Sequence, residues 1–115
     1  MQVTVESLSD DITVLRVKEG LDMSNASTFR RMLQTEVGRA RRGLVLQLAE
    51  VPFIDSSGIA VLIEGLKWSR KRMLPYVLAQ LTPAVQMVIE LARLDNFFTI
   101  ADNLDAATET ITSAS

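Results

Sequence analysis

At 115 residues, with 48% hydrophobic and 23% charged residues, the chain has the size and composition of one domain with a true core. Its net charge of −2 gives no general attraction to nucleic acid or anionic membrane. Cysteine and histidine are both absent, which excludes a disulfide frame, the usual zinc sites and a Ser-His-Asp triad within this chain.

Val3, Val5 and Ser7 alternate with Thr4 and Glu6, the pattern of a half-exposed strand. Ser9-Asp10-Asp11 is a turn, and Ile12 to Val17 is a second strand, so the two form an antiparallel hairpin. Gly20-Leu21-Asp22-Met23-Ser24 ends the hairpin and prepares a helix, with Ser24 or Asp22 as its N-cap. Phe29, Leu33, Val37 and Ala40 then recur about once per helical turn, with Arg30, Arg31 and Arg39 turned outward. Arg39, Arg41 and Arg42 crowd the helix end, where the dipole favours cations, and Gly43 is expected to stop the helix.

Leu44-Val45-Leu46-Gln47-Leu48 is almost wholly apolar and reads as a strand buried on both faces, as in a parallel sheet. Val51-Pro52-Phe53-Ile54-Asp55-Ser56-Ser57-Gly58 is turn and helix-cap chemistry. Ile59, Leu62, Ile63 and Leu66 follow at the spacing of one helix face, expected to pack on the sheet against Leu46 and Leu48, and the helix ends near Arg70. Tyr76 to Ala79 is the next strand. Thr82-Pro83 starts a helix, cap then proline, whose inner face is Val85, Val88, Ile89 and Ala92. Phe98-Thr99-Ile100 is a short strand, Leu104, Ala107, Thr108 and Ile111 mark a closing helix, and the last residues fray. Strands alternating with helices of this length predict right-handed βαβ units. The expected fold is a single α/β domain over residues 1–115, with a mixed, mostly parallel sheet of four to five strands and about four helices.

The strand-turn-helix at Asp55-Ser56-Ser57-Gly58 is the principal candidate site. Ser56 and Ser57 are either caps of the second helix or hydroxyls available to a partner. Asp55 and Asp22 are either turn residues bonding nearby backbone or partner contacts, with Asp55 alternatively positioning the serine hydroxyl. Parallel strands bring both loops to one sheet edge, where sites form in open α/β sheets. Met23, Pro52 and Phe53 flank the loops, as core or as an exposed apolar rim. Two basic clusters, Arg39, Arg41 and Arg42 and then Lys67, Arg70, Lys71 and Arg72, are assigned to helix ends rather than nucleic acid, because no aromatics are interleaved with them. Trp68 is expected to be half-buried. There is no G-x-S-x-G elbow and no P-loop, so neither catalysis nor a cofactor or metal is expected. No basic-then-apolar leader and no run of roughly 20 apolar residues is visible, so the expected setting is the cytoplasm, without membrane insertion.

Phe53-Ile54-Asp55-Ser56-Ser57-Gly58-Ile59 resembles the signature of the STAS domain family, whose type members are anti-sigma factor antagonists. Gly20-Leu21-Asp22, the stretch from Pro83 to Asp95, and Phe98 to Ala107 resemble further elements of the family, so the likeness covers nearly the whole chain. The resemblance implies a partner switch in which an anti-sigma factor serine kinase is bound and a sigma factor set free. It implies phosphorylation of Ser57 by that kinase and reversal by a phosphatase, with Asp22, Met23, Phe53, Asp55, Ser56 and Gly58 contacting the partner. A phosphate at a helix start is expected to disturb the fold little, since free N–H groups and the dipole accept it. Gln47, where the family often has aspartate, and Met73-Leu74-Pro75, where it is often glycine-rich, depart from the pattern. Two other readings stay open: a STAS subunit of a lipid-trafficking ABC transporter binding its ATPase, and a small ligand- or nucleotide-binding module.

Overall fold

A computed structural model describes residues 1–8 and 10–113. Ser9 of the expected turn and the last two residues, expected to fray, lie outside the described residues. The elements are β1 (Val3–Ser7), β2 (Ile12–Val17), α1 (Ala26–Arg39), β3 (Gly43–Gln47), α2 (Ser56–Lys71), β4 (Tyr76–Ala79), α3 (Pro83–Leu91), β5 (Thr99–Ala101) and α4 (Leu104–Ser113). The sheet order is β1-β2-β3-β4-β5, antiparallel in the first pair and parallel in the rest. This is the expected mixed α/β sheet.

Alternation along the three middle strands divides the core in two. Leu15, Leu46 and Leu78 are cross-strand neighbours, and they pack in one cluster with Phe29 and Leu33 of α1, Leu62 and Leu66 of α2, and Val85 and Ile89 of α3. Val14, Val45 and Val77 face the other way and pack with Ala107 and Ile111 of α4. Both faces of β3 and β4 are thus covered, which explains their unbroken apolar runs. Ile59 also joins the first cluster, with Ile63 and Trp68 partly buried against it.

Four local expectations are corrected. The edge strand β1 is exposed along most of its length, with only Val3 partly covered, because its outer side has no neighbour to bury the alternating residues. Gly43 does not stop α1. That helix ends when Ala40 turns extended, and the Arg72 guanidinium, from the end of α2, donates to the carbonyls of Val37 and Ala40, at 3.1 Å to the latter. Gly43 opens β3 instead, where a Cβ would sit 2.7 Å from Ile111 of α4. Ala92 is exposed, since α3 ends before it. The N-cap position of α1 is held by Asn25, not by Asp22 or Ser24.

The departure at Met73 has a geometric reading. Met73 N–H bonds Arg70 O at 3.1 Å and Leu74 N–H bonds Ser69 O at 2.9 Å, the paired bonds of a Schellman turn. Met73 fills its left-handed position at φ 55°. A Cβ is disfavoured there, and the side chain, 91% exposed, gains nothing from packing. Met73→Gly is therefore expected to raise stability by about 0.5–1 kcal/mol, the relieved strain exceeding the extra chain entropy of glycine. A higher denaturant midpoint at constant slope is the check.

Candidate functional site

The loops after β2 and β3 meet at the C-terminal edge of the sheet. Leu21 and Ile54 form a parallel bridge, with Leu21 N–H donating to Phe53 O at 3.1 Å and Asp55 N–H to Leu21 O at 3.0 Å. This bridge sets Asp22 and Asp55 side by side in the two loops. Gly58, one turn into α2, lies beneath it. A Cβ there would stand 2.7 Å from Ile54 Cγ1 and 2.9 Å from Leu21 Cβ, so glycine lets the helix reach the paired loops. Gly58 is itself buried, beneath the two paired loops.

Asp55, not either serine, is the N-cap of α2. Its Oδ1 accepts from Ser57 N–H at 2.9 Å, Gly58 N–H at 3.1 Å and the Ser57 hydroxyl at 2.7 Å. The carboxylate reaches the free N–H groups of the first turn because Asp55 is extended, at φ −106° and ψ −174°. Ser56 is exposed at the first helical position, and Ser57 is half-buried at the second with its hydroxyl aimed at Asp55. The hydroxyl of Ser57, then the N–H of Gly58, hold the Asp55 carboxyl below the usual carboxylate range.

Asp22 repeats the motif one loop away. Its Oδ1 accepts from Ser24 N–H at 2.9 Å and from the Ser24 hydroxyl. Met23, 81% exposed, and Phe53, 48% exposed, stand beside the two aspartates, with Pro52 also exposed. The apolar residues thus form a rim and not core. The Phe53 ring rests over Gly20, where a Cβ would fall 2.2 Å from it, so a side chain at position 20 would displace the ring. Below the rim, the Thr82 hydroxyl donates to Val51 O at 2.7 Å and its oxygen caps α3 through Val85 N–H, tying the loop after β3 to α3.

Gln47 is buried under the same edge. Its Oε1 accepts from Ala49 N–H at 3.0 Å and its Nε2 donates to Gln80 Oε1. An aspartate could supply only the first of these bonds. Asn25 and Glu19 are not among the expected site residues, yet both bond within the Asp22 loop. Their signal is weak: an asparagine just before an apolar helix pattern ordinarily means a cap.

The basic clusters serve helix ends at the opposite edge. Arg72 bonds α1 carbonyls, Arg39 lies 3.6 Å from Glu36, and Arg70 sits over the Phe97 ring at 5.2 Å. Among the described residues, no helix is long and apolar enough to cross a membrane.

The two lowered carboxyls set an acid dependence. Asp55 is held down first by the Ser57 hydroxyl, and Glu19 first by the backbone N–H of Gln2, then by Asn25. A carboxyl with a lower pKa folded than unfolded stabilises the fold above its unfolded pKa. That contribution is lost as pH falls through the folded value. Stability is therefore expected to decline below about pH 4, and less steeply in Asp55→Asn. Thermal midpoints from pH 7 to 2.5 would show it.

A family model described as STAS domain matches residues 5–107. The curated protein named "Putative anti-sigma factor antagonist BtrV", from Bordetella bronchiseptica, is 26% identical over 107 residues, covering 93% of this chain and 91% of its own. A Moorella thermoacetica RsbS structure, a serine-to-glutamate variant, is 28% identical with a TM-score of 0.80, covering 99% of this chain and 97% of that one. A Thermotoga maritima crystal structure shares the fold with a TM-score of 0.89 at 24% identity, over 96% of this chain and 94% of that one.

Proposed function

The chain belongs to the STAS domain family, and on that basis we propose that it is an anti-sigma factor antagonist. It binds an anti-sigma factor serine kinase in the cytoplasm and, by occupying it, frees a sigma factor. The chain performs no catalysis of its own. Ser57 is the residue the kinase phosphorylates, which ends the complex, and a phosphatase acting on phosphorylated Ser57 restores it. The observation that carries this reading is the side-by-side placement of the Asp22 and Asp55 loops by the Leu21–Ile54 bridge. It gathers two acidic groups, the Ser57 hydroxyl and the exposed Met23 and Phe53 into one surface.

That surface has the makeup of a protein interface. Exposed apolar side chains supply the burial that drives association, and the carboxylates supply orientation. The name of the Bordetella relative, matched over nearly its whole length, supports the same reading. The test is direct binding to a purified serine-kinase anti-sigma factor from the same organism, by calorimetry with nucleotide present. Saturable one-to-one binding, weakened by charge at Met23 or Phe53, is the expected result. Stable binding to a transporter ATPase instead would assign the chain to lipid trafficking.

A further inference from the structure

We propose that Asn25 is the positioning residue of the partner-facing loop, and that it couples that loop through Glu19 to the backbone of the segment leading into β1. The inference rests on the reading of this loop as a partner surface, and adds to it what holds the loop in shape. Asn25 occupies the N-cap position of α1, yet its side chain makes no cap bond to that helix. Its amide turns back into the loop instead. Oδ1 accepts from Asp22 N–H at 3.1 Å, while Nδ2 donates to Gly20 O at 2.8 Å and to Glu19 Oε1 at 3.0 Å. One amide orientation satisfies all three bonds; the reverse would set an NH2 against the Asp22 N–H and an oxygen against two acceptors. The second carboxylate oxygen of Glu19 accepts from the backbone N–H of Gln2.

These bonds close a ring around the turn that presents Asp22 and Met23. On its other side the turn is fixed by the Leu21–Ile54 bridge. Met23 touches little else, being 81% exposed, so the backbone on either side of it must set its direction. Helix α1 begins with its own backbone bonds, Ala26 N–H to Asp22 O at 2.9 Å and Phe29 N–H to Asn25 O at 2.9 Å. The Asn25 side chain is therefore free to serve the loop without ending the helix.

Asn25→Ala removes all three bonds. Asn25→Asp keeps the acceptor for Asp22 N–H but sets a carboxylate against Glu19 and the Gly20 carbonyl. Gln2→Pro removes only the distant N–H donor. The experiment measures amide hydrogen exchange at Asp22 and at Leu46 in β3, together with affinity for the purified kinase. In Asn25→Ala and Asn25→Asp, exchange at Asp22 is expected to accelerate by about tenfold while Leu46 changes by less than about twofold, with kinase affinity down about tenfold. Gln2→Pro should lower affinity by roughly two- to fivefold. Unchanged exchange at Asp22, or acceleration at Leu46 in step with it, would overturn the proposal, the latter by making Asn25 a general stabiliser. Absence of kinase binding by the unaltered chain would reject the functional reading instead, and the exchange data would still decide whether Asn25 positions the loop.

Discussion

Leu62→Ala is expected to lower the unfolding free energy by about 2–5 kcal/mol. Leu62 is wholly buried in the cluster where α1 and α2 meet β3 and β4, among Phe29, Leu33, Leu46 and Leu78. The site has little means of collapsing. The Tyr76 hydroxyl, whose pKa burial drives far up and which therefore stays protonated, donates to Leu62 O at 3.0 Å and pins the helix backbone at this residue. Gly65, a turn further on, already admits the Leu33 side chain and the Tyr76 hydroxyl; a Cβ there would lie 2.6 Å from each. Helix α2 is thus held close to the sheet at two successive levels, and removing the Leu62 side chain leaves a cavity that neither neighbour can fill. Chemical unfolding should show a lower midpoint with an unchanged slope. A change below about 0.5 kcal/mol, the size usual at surface positions, would mean that the buried face of α2 lies elsewhere.

What was legible in the sequence follows from the range over which each rule acts. The runs at Leu44–Leu48 and Tyr76–Ala79, and the spacing Phe29, Leu33, Val37, depend on repeats within a strand or a turn of helix, and they hold in the structure to within a residue at the ends, with Ala40 buried just past the end of α1. The Thr82-Pro83 start also holds, because cap and first-turn proline are neighbours. Features set by distant partners were not legible. Arg72 caps a helix that ends more than thirty residues earlier. Gly43 and Gly58 answer to Ile111 and Leu21, in other elements. The choice among Asp55, Ser56 and Ser57 as cap was local, yet composition could not make it, since all three residues are good caps. The extended backbone at Asp55 decided it. Asn25 is the converse case: its residue type predicts a cap, and the loop beside it claims the side chain.

Phosphorylation of Ser57 is expected to weaken kinase binding strongly while leaving the fold in place. The N–H groups of Ser57 and Gly58 are already bonded to the Asp55 carboxylate, and the Ser57 hydroxyl donates to the same oxygen. A phosphate removes that donated proton and brings about −1.5 to −2 charges beside a carboxylate that stays ionised. It must therefore displace Asp55 from the helix N–H groups or turn toward the partner. The helix dipole still favours the anion, so stability should fall only modestly. Either movement alters the surface that docks. A partner closing over it must desolvate the dianion, which should weaken binding by about 2–5 kcal/mol, roughly thirty- to several-thousand-fold, unless the partner supplies a cation. Ser57→Asp should fold and bind poorly for the same reason. Ser57→Ala loses only the bond to Asp55, so it should bind and resist modification. Ser56→Ala, altered at an exposed hydroxyl outside that network, should remain a substrate. Incubation with the cognate kinase and ATP, followed by intact-mass and fragment analysis, decides between the neighbouring serines. No added phosphate, or phosphate on Ser56 with Ser57 untouched, would sink the assignment, because of the two serines it is Ser57 whose hydroxyl is bonded to Asp55 beside the paired loops.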